Sequence, residues 1–269
     1  MIRLEKAFAK ARAENRKALV VYLTAVDPDF ETSRRLMLAA AAAGADILEI
    51  GIPWSDPSAD GLAIQAAMRR ALAAGGSLTR ALALCRAVRA ENPTVGLVLF
   101  GYANPIIVNG VDEFARRAHE SGADALLCVD WPPDEAGELI AALDANQMGF
   151  IPLLAPTSTP VRVKAAGDAA RGFLYYVSMT GITGVQIRDL DGPKRHVAEI
   201  RALTNDRVPL VVGFGITNPA EARAIAAFAD GVVVGSAAVR IVEKAAAEGR
   251  DPAPELASFV RDLSAALKG

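Results

Sequence analysis

The sequence has few of the residues that build metal centres and disulfide frameworks. Its 269 residues include two cysteines, Cys85 and Cys128, and two histidines, His119 and His196. Both cysteines stand in apolar surroundings and lack metal-site or disulfide spacing, so we expect packed free thiols in a reducing cytoplasm. Both histidines fall within predicted helices that face away from the strand ends, and we therefore expect no histidine-built zinc site.

The sequence also lacks an excess of one charge and a long apolar run. The formal net charge is −2, and the lysines and arginines are scattered rather than clustered, so no basic surface for nucleic acid is predicted. The apolar run Ala18–Val26 is too short to span a bilayer. The segment Met1–Lys17 has helical spacing without a signal-peptide run. We expect no nucleic-acid partner, no membrane span and no targeting segment.

Hydrophobic residues, by contrast, make up 52% of the chain. Eight short apolar runs alternate with Ala-rich segments of helical periodicity, as in parallel strands covered by helices. We predict an α/β fold, a (β/α)8 TIM barrel in a single domain over residues 1–269 with an extra N-terminal helix; a doubly wound open sheet is the alternative. Four residues stand where a side chain could cap a helix: Asp112, Asp134, Thr159 and Thr217. The predicted strands are Leu19–Thr24, Asp46–Gly51, Val95–Phe100, Ala125–Asp130, Gly149–Leu153, Phe173–Val177, Leu210–Gly213 and Gly231–Gly235.

Polar side chains follow the predicted strands, on the face where such barrels carry their catalytic groups. Glu49 lies in the apolar stretch Leu48–Ile50, where lost hydration would raise the pKa of its carboxyl group toward neutrality. The alternative is a strand-end glutamate that faces solvent or an arginine. The residues predicted on this face are Glu49, Asp60, Tyr102, Asn104, Asp130 and Tyr175.

Two glycine turns follow the seventh and eighth strands, Gly213-Phe214-Gly215 and Gly235-Ser236. Glycine lets the backbone approach a phosphate, and the amides at a helix start donate to it, so the pair predicts a phosphorylated ligand. Purely steric turns are the alternative. The loop Met179–Gly192 is rich in Gly, Thr and Asp and is predicted to be a lid, with an ordinary loop as the alternative.

The residue types near the predicted catalytic face limit the reactions that the chain could catalyse. A Schiff base needs a lysine on the catalytic face, but the seven lysines all fall in or beside helices or before the first strand. A magnesium site built from Glu49, Asp56, Asp60 and Asp130 remains open. General acid and base catalysis by carboxyl groups on a phosphate-anchored substrate is the favoured interpretation.

A set of motifs occurs in order along nearly the whole chain. The motifs are Thr24-Ala25 with Asp27-Pro28-Asp29, Leu48–Pro53, Ser55-Asp56-Pro57, Ala59-Asp60-Gly61, Tyr102–Pro105, Ala155–Pro160, Gly181–Gly184, Gly213–Ile216 and Gly235–Ala237. With these motifs the chain resembles one family nearly end to end, the α subunit of tryptophan synthase.

The resemblance implies cleavage of indole-3-glycerol phosphate to indole and glyceraldehyde 3-phosphate, with no cofactor in this chain. Glu49 would act as the general acid and base. Asp60 would bind the indole N–H and would itself be bonded by Thr183 when the lid closes. The implied partner is a pyridoxal-phosphate β subunit in an α2β2 heterotetramer. The implied substrate-binding residues are Tyr22, Phe100, Tyr102, Leu127, Tyr175, Thr183, Gly184, Gly213, Phe214, Gly215, Gly235 and Ser236.

The chain departs from the family pattern mainly around the loop after the second predicted strand, residues 52–61, which we call the acidic loop because it contains Asp56 and Asp60. Coupling to the β subunit is therefore less firmly implied than the chemistry. A lyase that releases free indole without β, a weakly catalytic barrel that mainly activates β, and a lyase for another phosphorylated aldol remain open. The departures are Val26, Trp54, Ser58, Leu62-Ala63 and Met179.

Overall fold

The computed structural model describes residues 2–177, 190–213 and 215–268. Within these ranges the strands are β1 (Ala18–Thr24), β2 (Ile47–Gly51), β3 (Gly96–Gly101), β4 (Ala125–Cys128), β5 (Gly149–Phe150), β6 (Leu153–Leu154), β7 (Leu174–Val177), β8 (Leu210–Gly213) and β9 (Gly231–Val234). All pairings are parallel, and the sheet order is β5-β4-β3-β2-β1-β9-β8-β7-β6.

The predicted fifth strand is two short strands, β5 and β6, separated by Ile151 and Pro152. The Ile151 N–H donates to Leu126 O at 2.9 Å, and Pro152 O accepts from the Tyr175 N–H at 3.0 Å. The segment therefore bridges β4 and β7 and closes the sheet. The (β/α)8 prediction is confirmed, and the open-sheet alternative is wrong. The fourth strand ends at Cys128 rather than at the predicted Asp130.

Helices surround this barrel in the described ranges. They are α1 (Ile2–Ala13), α2 (Phe30–Ala42), α3 (Leu62–Ala73), α4 (Leu78–Glu91), α5 (Ala103–Asn109), α6 (Val111–Glu120), α7 (Gly137–Ala145), α8 (Pro160–Ala169), α9 (Asp191–Leu203), α10 (Pro219–Ala226), α11 (Ser236–Ala247) and α12 (Ala253–Ala266). None of these described helices is long and apolar enough to cross a membrane. Since α9 begins at Asp191, the predicted loop Met179–Gly192 is too long by two residues, and 178–189 lie outside the described residues.

The helices have two roles. An outer ring consists of α2, α4, α6, α7, α8, α9, α10 and α12, one for each of the eight barrel strand positions, and neighbours such as α4, α2 and α12 pack side by side. The predicted extra N-terminal helix is α1. Three further helices, α3, α5 and α11, are inserted between a strand and its ring helix. We call these three the rim helices, because they follow the carboxyl ends of the strands.

Side chains on the strands alternate between two cores. On β1, Val20 and Tyr22 belong to the cluster inside the barrel, whereas Leu19 and Val21 belong to the layer between the sheet and the ring helices. Both clusters are buried, which explains why the strands read as continuous apolar runs. The alternation decides which residues reach the barrel interior.

Helix α1 covers the amino ends of the strands. Its Leu4 and Phe8 are buried in the interior cluster. The Phe8 ring meets the Phe173 ring edge-on at 5.8 Å between centroids, an arrangement that stabilises aromatic pairs beyond their burial. The lower end of the barrel is therefore filled by apolar side chains.

Aspartates at the amino ends of three strands hold their neighbours through backbone amides. Each accepts one N–H at 2.9 Å, Asp46 from Leu19, Asp124 from Leu97 and Asp230 from Leu210. Each also bonds an arginine, Arg16, Arg89 and Arg201 respectively. Asp124, which is 1% exposed, additionally pairs with Arg3 of α1 at 3.0 Å. These contacts join the sheet to α1 and to the ring helices.

Replacing Asp124 by alanine is expected to destabilise the fold strongly. The substitution removes the partner of Arg89, whose side chain is 12% exposed, and of the buried Leu97 N–H. Breaking such a pair typically costs about 3–5 kcal/mol. The free energy of unfolding in urea measures the change. As a control, Asp168→Ala removes an exposed pair with Arg207 and should cost less than about 1 kcal/mol. Equal losses would contradict the prediction.

Candidate active site

Glu49 lies on the inward face of β2, between Tyr22 of β1 and Val98 of β3 in register. The residue is 1% exposed, and neither carboxyl oxygen has a hydrogen-bond partner among the residues that the structure describes. Burial raises the pKa of Glu49 to about 8, because the apolar interior disfavours the charged form. At neutral pH the group is therefore mostly a neutral acid that holds one proton to give.

Asp60 lies in the loop after β2 and is held by a tyrosine that directly follows β3. The Tyr102 hydroxyl donates to Asp60 Oδ2 at 2.8 Å and accepts from the Ala59 N–H at 3.1 Å. Burial raises the pKa of Asp60 to about 6, and the Tyr102 hydrogen bond acts against that rise. Asp60 is thus ionised at neutral pH while Glu49 is protonated.

The two carboxyl groups lie near the same two phenols, in a region toward the carboxyl ends of the strands that we call the chamber. Two inward phenols, Tyr22 and Tyr175, have pKa values raised first by burial and then by the charges of both Asp60 and Glu49. Such electrostatic influence requires proximity. Tyr22 also contacts Thr24 Oγ1 at 3.2 Å, a neighbour that the sequence motifs did not assign to the site. The two-residue spacing on β1 places it on the same face.

Glycines make room for the two phenols. A Cβ at Gly51 would lie 2.2 Å from the Tyr22 hydroxyl, and one at Gly213 would lie 2.6 Å from the Tyr175 hydroxyl. Both distances are too short for any side chain. The end of β8 therefore needs glycine for a steric reason, in addition to any contact with a phosphate.

Phe100 and Leu127 form an apolar wall on the adjacent strands. They pair in register between β3 and β4, and both belong to the interior cluster. The Phe100 ring packs edge-on against Tyr22, with 5.1 Å between centroids and 77° between planes. Such a wall suits an aromatic ligand, which prefers apolar and aromatic partners.

The turns after β8 and β9 provide backbone donors. Gly235 precedes α11 and Ser236 is its first residue, with no side-chain cap on the helix. Its first amides are thus available to an anion, which the helix dipole also favours. Gly215 has a φ of 66°, and a Cβ at this position would meet only open space. Its backbone conformation, not crowding, is therefore what favours glycine there.

The structure gives several residues near the site partners within the chain. Tyr102, which is predicted to contact substrate, bonds Asp60 and Ala59 through its hydroxyl group. Asp130 accepts the Ala103 N–H at the start of α5, at 2.8 Å. Gln65, which no sequence motif singled out, donates to the Asp60 carbonyl at 2.7 Å. The predicted residues Thr183, Gly184 and Phe214, and the departure Met179, lie outside the described residues.

The acidic loop has a second side. Trp54, Ser58 and Met68 line a surface cavity of about 200 Å³ between the loop and α3, so two of the departures from the family pattern lie behind the loop.

Within residues 2–177, 190–213 and 215–268, no group of three or more His, Cys, Asp or Glu is arranged to hold a metal ion. The magnesium hypothesis therefore finds no support in the described geometry.

Comparison with known proteins extends over nearly the whole chain. The family profile described as tryptophan synthase alpha chain matches residues 8–268. A tryptophan synthase alpha chain from Geobacter sulfurreducens is 46% identical over 270 aligned positions, covering 99% of both chains. One from Geotalea uraniireducens is 43% identical, covering 100% of this chain and 98% of the relative.

Solved structures agree. Tryptophan synthase subunit alpha from Legionella pneumophila superposes with a TM-score of 0.92 at 36% identity, covering 98% of both chains. A tryptophan synthase structure from Mycobacterium tuberculosis gives 0.90 at 36% identity, covering 99% of this chain and 98% of that one. Since sequence and fold match along almost the full length, the chain belongs to the tryptophan synthase alpha chain family.

Proposed function

We propose that the chain cleaves indole-3-glycerol phosphate to indole and glyceraldehyde 3-phosphate, as the α subunit of tryptophan synthase. The observation that carries the proposal is the pair of carboxyl groups that face one apolar chamber. Glu49 has a pKa of about 8 and Asp60 one of about 6, so a proton donor and a fixed negative charge coexist at neutral pH. Two carboxyl groups whose pKa values are pushed apart identify an acid and a charge stabiliser.

Glu49 supplies the proton in this mechanism. Its carboxylic acid protonates the indole ring at C3, which places positive charge on the ring nitrogen. The resulting Glu49 carboxylate then helps to remove the proton from the hydroxyl group on the carbon attached to C3. That carbon becomes the aldehyde of glyceraldehyde 3-phosphate, and the electrons of the broken carbon–carbon bond return to indole. The proton balance at Glu49 is restored, so no cofactor is required for this reaction.

Asp60 stabilises the charge that develops at the ring nitrogen. A carboxylate that accepts the indole N–H binds the charged intermediate more tightly than the neutral substrate, which is the differential binding that accelerates a reaction. Tyr102 fixes this carboxylate in advance through its 2.8 Å hydrogen bond. We assign Tyr102 to the positioning of Asp60.

The remaining site residues hold the substrate at its two ends. Tyr22, Phe100, Leu127 and Tyr175 enclose the indole, and the backbone after β8 and β9 binds the phosphate. Gly213, Gly215, Gly235 and Ser236 serve this second role, and Thr183, Gly184 and Phe214 remain proposed binding residues. Anchoring both ends places the reacting carbon beside Glu49, an effect that can lower the barrier by several kcal/mol.

The chain acts with a β subunit, as the tryptophan synthase structures among its relatives imply. We propose an α2β2 heterotetramer in the cytoplasm, with the β subunit carrying the pyridoxal phosphate. The buried free thiols Cys85 and Cys128 fit a reducing compartment. We also propose that residues 1–269 form one domain, since a single closed sheet runs through them.

Replacing Glu49 by glutamine should abolish indole release. The amide keeps the shape but has no acidic proton to give, and we expect kcat to fall by about 10²–10⁴-fold with a smaller change in substrate binding. A spectrophotometric assay of indole release measures the loss. Glu199→Gln, an exposed glutamate on α9, is the control and should keep wild-type turnover. Near-wild-type turnover by Glu49→Gln would end the assignment.

The pH profile of kcat/KM should be bell-shaped. Asp60 must lose its proton, so activity rises through a pKa of about 6, and Glu49 must keep its proton, so activity falls above about 8. Tyr102→Phe removes the hydrogen bond that lowers the pKa of Asp60, and the acid limb should move to higher pH. Tyr176→Phe removes a hydroxyl bonded to His196 outside the barrel and should leave both limbs in place. An unmoved acid limb in Tyr102→Phe would contradict the assignment.

Adding a β subunit should change the rate of indole release. If the chain works in the heterotetramer, complex formation raises its lyase rate because the partner orders the loops on the catalytic face. Parallel assays with and without purified β, with β activity recorded as well, give the comparison. An unchanged rate favours the stand-alone lyase. No lyase activity together with stimulation of β favours the activating barrel.

A further inference from the structure

Arg70 of α3 joins three elements of the catalytic face. Its Nε and Nη2 donate to the two carboxylate oxygens of Asp27, both at 2.9 Å, and its Nη1 donates to Glu243 at 3.0 Å. Asp27 lies in the turn after β1, and Glu243 lies on α11. A bidentate guanidinium pair fixes both distance and orientation.

The joined elements carry the two ends of the proposed binding site. Helix α3 begins directly after the acidic loop, and its Gln65 holds the Asp60 carbonyl. Helix α11 begins at Ser236, in the turn that is proposed to bind phosphate. The two rim helices also pack against each other, and α3 packs against β1. Arg70 therefore ties the helix that follows Asp60 to the helix that begins at the phosphate turn.

The contacts of Arg70 show that it acts through other residues. Three of its nitrogen atoms are used by carboxylates of this chain, and its side chain is 26% exposed. Asp27 is the more buried partner, with its side chain 3% exposed. Losing Arg70 would leave that carboxylate buried without its cation, a situation that forces local rearrangement.

The turn held by Asp27 is conformationally demanding. Val26, one of the departures from the family pattern, has a φ of 67°, which a β-branched side chain adopts only under external constraint. Its amide donates to Ser33 Oγ at 3.2 Å, and the preceding Ala25 N–H donates to Gly51 O at 2.9 Å. The turn is thus fastened to β2 beside Glu49, and Arg70 fastens it to the rim helices.

We infer that Arg70 is a positioning residue, which sets the spacing between the phosphate turn at α11 and the Asp60 loop before α3. This inference rests on the proposed function, since it assigns the phosphate to the α11 turn. The substrate must meet both places at once, so a shift of one rim helix against the other weakens substrate binding and misplaces the reacting carbon.

The test uses Arg70→Met, the charge-conserving Arg70→Lys, and Glu243→Gln, which removes the carboxylate charge from the contact to α11 and leaves the Asp27 pair in place. Arg201→Met is the matched control, because Arg201 is also 26% exposed and also pairs with two carboxylates, here those of Asp206 and Asp230 at the amino ends of the strands. Melting temperature, KM and kcat for indole-3-glycerol phosphate, and calorimetric affinity for inorganic phosphate are measured for each variant.

For Arg70→Met we expect KM and the dissociation constant of inorganic phosphate to rise about tenfold, with a smaller rise in Arg70→Lys. Glu243→Gln, at an exposed partner that leaves Asp27 paired, should weaken phosphate binding without a large loss of melting temperature. Arg201→Met should lower the melting temperature as Arg70→Met does, yet leave both constants within about twofold.

Two results would overturn the inference: wild-type phosphate affinity in Arg70→Met, or equal weakening in Arg201→Met at equal loss of melting temperature. Phosphate titration does not depend on turnover, so the two proposals fail separately. A wild-type chain that binds phosphate but does not cleave the substrate refutes the proposed function alone. A wild-type chain that cleaves it, with unchanged phosphate affinity in Arg70→Met, refutes the role of Arg70 alone.

Discussion

The Glu49 carboxyl group is enclosed by the barrel with no hydrogen-bond partner among the described residues, and the chamber depends on this constraint. An ionised carboxylate in such surroundings would lose several kcal/mol of hydration without compensation. The protein keeps the group neutral instead, with a pKa of about 8. The neighbouring Tyr22 is consistent with that state, because its hydroxyl group is hydrogen-bonded to Thr24 rather than to Glu49. The acid therefore stays free to transfer its proton to a bound molecule.

The second carboxyl group is controlled in the opposite way. Asp60 lies on a loop rather than a strand, and its environment is assembled from different parts of the chain: Tyr102 from the end of β3 and Gln65 from α3. The Tyr102 hydrogen bond favours the charged form of the Asp60 side chain, which burial alone would disfavour, and Gln65 holds the backbone. Strand β2 thus supplies a protonated acid in an apolar setting, while the loop before α3 supplies a charged group whose position is fixed by contacts with Tyr102 and Gln65. The different settings of the two carboxyl groups depend on two inserted helices, α3 between β2 and α4 and α5 between β3 and α6.

The sequence predicts the fold well because most of the strands are buried on both faces and therefore stand out as short apolar runs. The break between β5 and β6 was not predicted, because Pro152 lies within a continuous apolar run. In the structure its carbonyl oxygen still accepts a ladder hydrogen bond from Tyr175. Helix starts were predicted less well. Thr159 caps α8 as expected, but Asn218 rather than Thr217 caps α10, and α6 and α7 begin without a side-chain cap. These outcomes depend on local backbone angles that composition does not determine.

Within the site, the inward-facing residues of the strands were predictable because strand parity selects them. The engagement of Tyr102 with Asp60 was not, since it joins residues 42 positions apart through the geometry of the closed barrel. The same holds for Arg70 and Glu243, which are 173 positions apart. Neither residue stands near a motif that suggests chemistry. Long-range polar contacts of this kind become visible only when the rim helices are in place.

The apolar plug formed by α1 has a consequence for traffic through the barrel. Leu4, Phe8 and Phe173 fill the lower end, so the described residues leave no route through that end, and the rim is the side by which ligands reach the site. Substrate must enter by that mouth, and indole must leave by it. A partner that captures indole before it reaches solvent therefore has to sit over the rim helices, on the same side as the acidic loop. Helix α1 lies at the opposite end of the barrel, yet by closing that end it determines that the product leaves toward the rim helices.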